Sequence, residues 1–172
     1  MNKIFVDTSG WANLIDANQP FHQKTAQIYR SCRVQKQPMI TTNYIVTELV
    51  ALLDSPLRLP RKSIIAFVNS LKKSPYLKII HIDFQTDREA WELLSQREDK
   101  HWSLVDCSSF IIMQKYGITE ALTSDRHFEQ AGFTIIVLTK MVKPQKPGFC
   151  SGYRRLSVGG FQRTSVLLPI PK

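Results

Sequence analysis

Short apolar segments alternate with amphipathic helical segments through residues 1–140, and this alternation constrains the fold most strongly. "KIFVD", "PMITT" and "LKIIHI", at residues 3–7, 38–42 and 77–82, have the length and branched side chains of buried strands. "EALTSD" and "FTIIVL" predict two further strands. Strands that alternate with helices favour a parallel sheet sandwiched between helices. We therefore predict an α/β protein with three layers, α/β/α, around a central parallel sheet.

The segments between these strands have helical periodicity. Asn43 is predicted to cap the helix "YIVTELVALLD", and Gly117, which has no side chain, suits a left-handed cap at the end of another helix. The remaining predicted helices are "SGWANLID", which stops before Pro20, then 21–35, 61–73, 86–97, a helix that starts at Ser103, and 126–130.

Residues 141–172 differ in composition from the rest of the chain. Residues 1–140 carry +3 of the formal charge of +9, and residues 141–172 carry +6 because they hold six Lys and Arg and no acid. The same segment holds four of the nine prolines and four of the seven glycines. We predict one domain over 1–140 and a basic, irregular tail over 141–172. The tail is either an arm that adds salt-dependent affinity for a polyanion or, as we favour, read-through or frame-changed sequence.

The cysteines and histidines form no recognisable metal or redox motif. Cys32, Cys107 and Cys150 are widely spaced and lack a C-x-x-C pair, which is typical of reduced thiols in a cytosol. The four histidines are scattered as well, so any bound metal is expected to have oxygen ligands. No apolar stretch approaches the roughly 18 residues of a membrane span. We expect a soluble, cytoplasmic protein without a membrane partner.

Two aspartates directly follow predicted strands. Asp7 ends the first strand, and Asp125 follows "EALTS". Ligands bind at the carboxyl ends of strands in an open parallel sheet, so both side chains are expected at that edge. Each aspartate also precedes a predicted helix, and helix capping explains either residue equally well when it is considered alone.

Two further acids lie on predicted helices. Glu48 is close in azimuth to Ile45 and Leu52, at about 100° per residue, and is therefore predicted to point toward the core. A buried carboxylate there requires a cation, a proton or a salt bridge to Lys or Arg. Asp106 has the spacing of a capping box with Ser103, but it also shares a helical face with apolar residues.

The four acids can converge on one edge of the sheet. Clustered carboxylates without a cation repel one another and become protonated, whereas Mg²⁺ or Mn²⁺ prefers oxygen ligands and neutralises them. Such centres commonly hydrolyse phosphodiester bonds, because the metal activates a water and stabilises charge on the phosphoryl oxygens. The acids therefore predict a Mg²⁺ or Mn²⁺ centre with this chemistry.

Four segments together resemble the PIN-domain ribonucleases, and VapC-type toxins in particular. They are, in order, "FVDTSGW", "TTNYIVTELVALL", "HWSLVDCSSFIIM" and "ALTSDRHFEQAGF", and the likeness covers residues 2 to 139. It implies a PIN-like α/β/α sandwich and a Mg²⁺- or Mn²⁺-dependent endoribonuclease that cuts single-stranded RNA with an activated water. The tail beyond Lys140 departs from the family, whose domains commonly finish near the last strand.

The resemblance also implies site residues and partners. Asp7 and Asp106 would be the principal metal ligands, and Glu48 and Asp125 would complete the catalytic acidic centre. Toxins of this type are usually neutralised by a small antitoxin whose C-terminal segment occupies the active-site groove, and they often form homodimers. The sequence alone does not identify the RNA that is cut.

Several residues beside these acids have two interpretations. The resemblance gives Thr8 and Ser124 a supporting role, as hydrogen-bond partners of the centre or its water. Arg126 and His127 adjoin Asp125 and can contact RNA phosphate, but they also suit the solvated start of a helix.

Other functions compete with a toxin ribonuclease. A haloacid dehalogenase phosphatase needs an acid two residues after Asp7, where this chain has Ser9. A receiver-like phosphoacceptor needs an acidic pair near Asp7, and this chain has none. The sequence therefore argues against both functions. A PIN nuclease that processes RNA and a PIN-like module that binds RNA or protein without cutting are the main alternatives. Trp11 and Trp102 can stack on unpaired bases or pack in the core, which we favour.

Overall fold

The structure, a computed structural model, describes residues 2–139. In this part of the chain, strands alternate with one or two helices. The elements are β1 (Ile4–Val6), α1 (Thr8–Ile15), α2 (His22–Val34), β2 (Met39–Thr42), α3 (Asn43–Asp54), α4 (Arg61–Lys72), β3 (Leu77–Ile80), α5 (Phe84–Gln96), α6 (Leu104–Lys115), β4 (Glu120–Leu122), α7 (His127–Gln130) and β5 (Thr134–Ile135).

The five strands form one parallel sheet in the order β3-β2-β1-β4-β5. The chain moves outward from β1 through β2 to β3 and then returns to β4 and β5, so its direction of winding reverses between β1 and β4. Such a reversal is the point where open α/β sheets bind ligands. Val6 is in register with Leu122, which places the next residues, Asp7 and Thr123, side by side at the carboxyl edge.

The helices cover the two faces of the sheet. Helix α1 packs against α2 and α3, whereas α5 packs against α6, and α6 packs against α7. Because crossovers between parallel strands are right-handed, the connections on the outward path and on the return path lie on opposite faces. The predicted α/β/α sandwich with a central parallel sheet is confirmed.

Both tryptophans named in the sequence analysis belong to the core. Trp11 is fully buried, and its Nε1 donates to Thr41 Oγ1 over 3.2 Å. Trp102 is also buried and packs edge-to-face on Phe110, with 5.0 Å between the ring centroids. The predicted core role is confirmed, since neither ring is available for stacking on a base.

The N-cap of α3 is Thr42 and not Asn43, so the predicted cap is wrong by one residue. Thr42 Oγ1 accepts from the backbone N–H of Ile45 over 3.1 Å. The Asn43 side chain instead accepts from the backbone N–H of Ile82 over 2.8 Å, which ties α3 to the end of β3. Both residue types cap helices well, and a tertiary contact decides between them.

Two helix ends further test the sequence analysis. Helix α5 begins at Phe84, two residues earlier than predicted, because Asp83 accepts from the backbone N–H of Thr86 over 2.8 Å and caps it. Gly117 follows α6 with a φ of 62°, and the predicted left-handed cap is confirmed.

No helix within residues 2–139 is long and apolar enough to cross a bilayer. Cys32 and Cys107 are buried free thiols, as expected. Cys150 and the basic tail predicted for 141–172 lie outside the described residues, so the predicted division of the chain at residue 140 stays a prediction.

Candidate active site

A cavity of about 340 Å³ opens at the carboxyl edge of the sheet. The four predicted acids, Asp7, Glu48, Asp106 and Asp125, all line it. They come from the end of β1, the middle of α3, the first turn of α6 and the loop after β4. The other lining residues are Thr8, Ser9, Leu52, His101, Ser103 and His127. The fold thus brings together carboxylates that are up to 118 positions apart in the sequence.

These four acids have no Lys or Arg partner within ion-pair distance among residues 2–139. The lysines and arginines that form ion pairs in this region contact other acids, which are Asp54, Glu89, Glu92 and Asp99. The salt bridge considered for Glu48 is therefore absent from the described part of the chain. A cluster of this charge requires protons or a cation.

Asp7 is the most perturbed acid of the pocket. Its residue exposure is only 5%. Its Oδ2 accepts from Thr123 Oγ1 over 2.8 Å and from Ser9 Oγ over 3.0 Å. Burial raises the pKa of Asp7 from its ordinary 3.8 to about 6, and the negative charge of Asp106 contributes in the same direction. The two hydroxyl hydrogen bonds partly oppose this rise because they stabilise the carboxylate.

Asp7 is also the N-cap of α1, so its capping and pocket roles coexist. Its side chain accepts from the backbone N–H of Ser9 over 3.3 Å. The first turn of α1 lies against the end of β4, where any Cβ at Gly10 would overlap the carbonyl oxygen of Leu122. Glycine at this position therefore permits the close approach that brings Asp7 and Ser9 to the switch point.

The hydroxyl groups that hold Asp7 were missed by the sequence analysis. Ser9 Oγ and Thr123 Oγ1 lie 2.8 Å apart, and Ser9 Oγ also accepts from the backbone N–H of Ser124 over 2.9 Å. The Ser124 hydroxyl itself accepts from Asn13 over 3.4 Å. Ser124 thus reaches the centre through its backbone. The strand register that identifies Thr123 is not readable from local sequence.

Asp106 has both roles that the sequence analysis considered: it caps α6 and it lines the acidic pocket. It is buried at 9% exposure. Its Oδ2 accepts from the backbone N–H of Ser103 over 2.7 Å, and Ser103 Oγ accepts from the backbone N–H of Asp106 over 3.0 Å. The capping box is therefore present, and it fixes the carboxylate at the pocket wall.

Glu48 lies at the pocket mouth and is exposed, so the prediction that it points into the core is wrong. Helix α3 buries Ile45, Leu49 and Leu53, and Glu48 lies at the border of that face. Helical azimuth placed Glu48 beside Ile45 and Leu52, but it could not show that no neighbouring element covers this side of α3. Thr8 Oγ1 donates a short hydrogen bond to Glu48 Oε2, which links the first residue of α1 to α3 across the pocket.

Asp125 and His127 form the remaining wall. Asp125 Oδ1 accepts from the backbone N–H of His127 over 2.9 Å. His127 Nδ1 lies 3.4 Å from Oδ2 of Asp125 and 3.4 Å from Oδ2 of Asp106. These three side chains offer ligand atoms that all lie within 4.8 Å of one another. Folding thus brings one of the four scattered histidines beside two acids, which the sequence analysis did not foresee, and the expectation of oxygen ligands alone stays a prediction. Arg126 is exposed at the edge of this region.

The family described as "PIN domain" matches residues 4–134. The chain is 32% identical over 131 residues to the 23S rRNA-specific endonuclease VapC20 of Mycobacterium tuberculosis, in both the CDC 1551 and H37Rv strains. The match covers 76% of this chain and 95% of that protein.

Two solved structures are similar to the described fold. The crystal structure of Mycobacterium tuberculosis VapC20, titled as a sarcin-ricin loop cleaving toxin, matches with a TM-score of 0.67 and 29% identity, over 76% of this chain and 96% of that chain. FitAcB from Neisseria gonorrhoeae matches with a TM-score of 0.56 and 15% identity, over 77% and 95% of the two chains. The second likeness concerns the fold alone.

Proposed function

We propose, from the premise that this chain belongs to the PIN-domain family, that it is a metal-dependent endoribonuclease for single-stranded RNA and the toxin of a toxin-antitoxin pair. One observation carries the nuclease assignment: four carboxylates from four segments line one pocket, and none has a Lys or Arg partner within residues 2–139. The similarity to an rRNA-specific endonuclease makes ribosomal RNA the first substrate to test.

The donor set fits a divalent cation. Carboxylate oxygens are the ligands that Mg²⁺ and Mn²⁺ prefer, and a cation offsets the repulsion that contributes to the raised pKa of Asp7. Asp106 and Asp125 lie near the same imidazole nitrogen, and Asp7 and Glu48 face the same cavity. These four acids would hold the ion, which when bound supplies Lewis acidity at the scissile phosphate and an activated water.

The chain's own residues orient the reacting groups. Ser9 and Thr123 hold one oxygen of Asp7, and backbone N–H groups hold one oxygen each of Asp106 and Asp125. In each of these acids, the hydrogen bonds to one carboxylate oxygen limit the rotation of the whole carboxylate group. Preorganised carboxylates of this kind lose little conformational freedom when the centre assembles.

Glu48 has a second role in this proposal, besides completing the set of metal ligands. It lies at the exposed mouth, where Thr8 Oγ1 orients its carboxylate. A solvent-facing carboxylate beside the scissile bond can accept a proton from the attacking water and pass it to bulk solvent. Arg126, exposed beside Asp125, contacts the RNA phosphate in the same proposal.

The test of the nuclease assignment is the exchange Asp7→Asn. Asparagine caps α1 as well as aspartate does, and it can accept the same hydroxyl hydrogen bonds, so the change removes mainly the charge. We expect RNA cleavage in the presence of Mn²⁺ or Mg²⁺ to fall about a thousandfold, which corresponds to roughly 4 kcal/mol of lost transition-state stabilisation.

The matched control is Asp54→Asn, which removes an exposed carboxylate of α3 outside the pocket. Its cleavage rate should equal that of the wild type. Unchanged cleavage by Asp7→Asn would falsify the catalytic assignment and favour the alternative of a PIN-like binding module.

The toxin role adds partners to this proposal. They are the RNA substrate, a small antitoxin whose C-terminal segment occupies the acidic pocket, and a second copy of the chain in a homodimer. A short neighbouring reading frame with a DNA-binding N-terminal half supports a toxin, and its absence favours an RNA-processing nuclease.

A further inference from the structure

One polar atom in the pocket wall lacks a hydrogen-bond partner. His127 Nδ1 is buried and makes no hydrogen bond with any group of residues 2–139. It nevertheless faces the carboxylate Oδ2 atoms of Asp106 and Asp125, each 3.4 Å away. Buried polar atoms are nearly always paired, so this nitrogen requires an explanation.

The two separations are longer than most hydrogen bonds between nitrogen and oxygen, and neither of them forms one. They are close to the separations of ligands that share one ion. Hydrogen bonds between nitrogen and oxygen span about 2.7–3.2 Å. Adjacent ligands around an octahedral ion with bonds of about 2.0–2.1 Å lie roughly 2.8–3.0 Å apart, since the two bonds meet at a right angle. The 3.4 Å distances exceed this range by about 0.4–0.6 Å, so small side-chain rotations would bring the three ligand atoms around one ion.

We infer that His127 is a nitrogen ligand of the divalent ion, together with Asp106 and Asp125, and that it makes this centre select Mn²⁺ over Mg²⁺. The inference rests on the proposed function and refines the identity of its metal. It also replaces the RNA-contact role that the sequence suggested for His127.

The backbone holds the imidazole in this position. The N–H of His127 donates to Asp125 Oδ1 over 2.9 Å, so one residue pair fixes both a carboxylate and the start of α7. Phe128, the next residue, is fully buried and packs edge-to-face on Phe110, with 5.1 Å between the ring centroids. The aromatic core therefore anchors α7 and keeps the backbone of His127 beside the two acids.

The identity of the ion follows from ligand chemistry. Mg²⁺ is held by carboxylates, carbonyls, phosphates and water, whereas imidazole suits first-row transition metals. Mn²⁺ is the transition ion that carboxylates also suit, so a mixed set of two carboxylates and one imidazole favours it over Mg²⁺.

Pulsed electron paramagnetic resonance of Mn²⁺ bound to the full chain tests the ligand role directly. The wild-type protein should show nitrogen modulation from a directly bound imidazole, and His127→Asn should lose it while still binding Mn²⁺. The control His101→Ala removes another histidine of the same pocket and should retain the signal. Thermal melting of each variant establishes that it is folded.

Metal titration supplies a second measurement. In His127→Asn we expect the Mn²⁺ affinity to fall about tenfold or more, and the Mg²⁺ affinity, measured by competition, to fall less than about threefold. Mn²⁺ bound by the wild type without nitrogen modulation overturns the ligand role and leaves the nuclease proposal standing. Failure of the folded wild-type chain to bind either ion overturns both proposals.

Discussion

The two edges of the sheet carry opposite charge. The cavity at the carboxyl edge is lined by four acids and by no Lys or Arg. A second cavity, of about 280 Å³, lies at the amino edge and is lined by Lys3, Lys36 and Lys78 with no acid among its described residues. The Lys3 and Lys78 ammonium groups lie 5.6 and 5.4 Å from the centroid of one ring, that of Tyr116.

The connectivity of the fold explains this separation. Helix α1 follows β1 and begins at the carboxyl edge, and α6, which leads back to the start of β4, begins at the same edge. Their N-termini favour negative charge there, as at Asp7 before α1 and at Asp106 in the first turn of α6. Helices that precede a strand end at the amino edge, where C-termini favour positive charge, as at Lys36 after α2. Each such interaction contributes about 0.3–1 kcal/mol.

At Asp7, the cost of burying a negative charge exceeds the favourable interaction with the N-terminus of α1. A rise of the pKa from 3.8 to about 6 corresponds to roughly 3 kcal/mol against the charged form. Without a cation, the buried charge of Asp7 therefore lowers the stability of the fold at the carboxyl edge. The lysines of the amino edge are exposed, so their charges are not buried in this way. The comparison predicts that changes at the two edges have very different effects.

The largest effect on stability is expected for Asp7→Asn in metal-free protein. A carboxylate whose pKa is raised on folding binds more protons in the folded state, so the free energy of unfolding falls as pH rises from about 4 to 6. Asparagine removes this loss. Chemical denaturation with a chelator present should show a gain of up to about 3 kcal/mol at pH 7.5 and about 1 kcal/mol at pH 4.5.

In Asp7→Asn, stability and activity should change in opposite directions, because the variant should be more stable and yet cleave RNA far more slowly. The control Asp54→Asn should change the free energy of unfolding by less than about 0.5 kcal/mol at both pH values. A gain for Asp7→Asn that does not depend on pH would show that burial of its charge is not the cause.

The sequence predicted the fold and the family because both depend on local patterns. Apolar strands, helical periodicity and the motif around each acid are confirmed by the parallel sheet and by the match over residues 4–134. The Asp7–Thr123 hydrogen bond joins residues 116 positions apart and depends on the register between β1 and β4. Local sequence does not contain that register.

The exposure of Glu48 and the position of His127 were missed for related reasons. Azimuth places Glu48 at the border of the buried face of α3, but the packing of neighbouring elements decides whether that border is covered. His127 reaches Asp106 only because α6 and α7 pack together. Both features are tertiary, and no pattern within one helix reports them.

A smaller effect is expected for Glu48→Gln. Glutamine can still accept the hydrogen bond from Thr8 Oγ1, and the exposed position keeps the lost charge partly screened by solvent. We expect kcat/KM for RNA cleavage to fall about tenfold, much less than for Asp7→Asn. A loss as large as that of Asp7→Asn would place Glu48 among the principal metal ligands instead.

The smallest effect is expected at the amino edge, with the charge reversal Lys78→Glu. Lys78 is level with Phe5 in the sheet and lies two strands from β1, so it is about 7 Å along and about 10 Å across from the level of Asp7. The resulting separation of roughly 12 Å exceeds the Debye length of about 8 Å at physiological ionic strength. Cleavage of an RNA oligonucleotide of about six nucleotides should therefore stay within about twofold of the wild-type rate.

The length of the RNA sharpens this prediction, because only a long substrate can reach from one edge of the sheet to the other. The variant and the wild type should be compared on the short oligonucleotide and on intact ribosomal RNA at two salt concentrations. If the variant and the wild type have equal rates on each of the two substrates, RNA recognition involves only the acidic edge. A salt-dependent loss confined to the long RNA would mean that the lysines of the amino edge bind phosphates beyond the cleavage site, and the two edges would then act on one substrate.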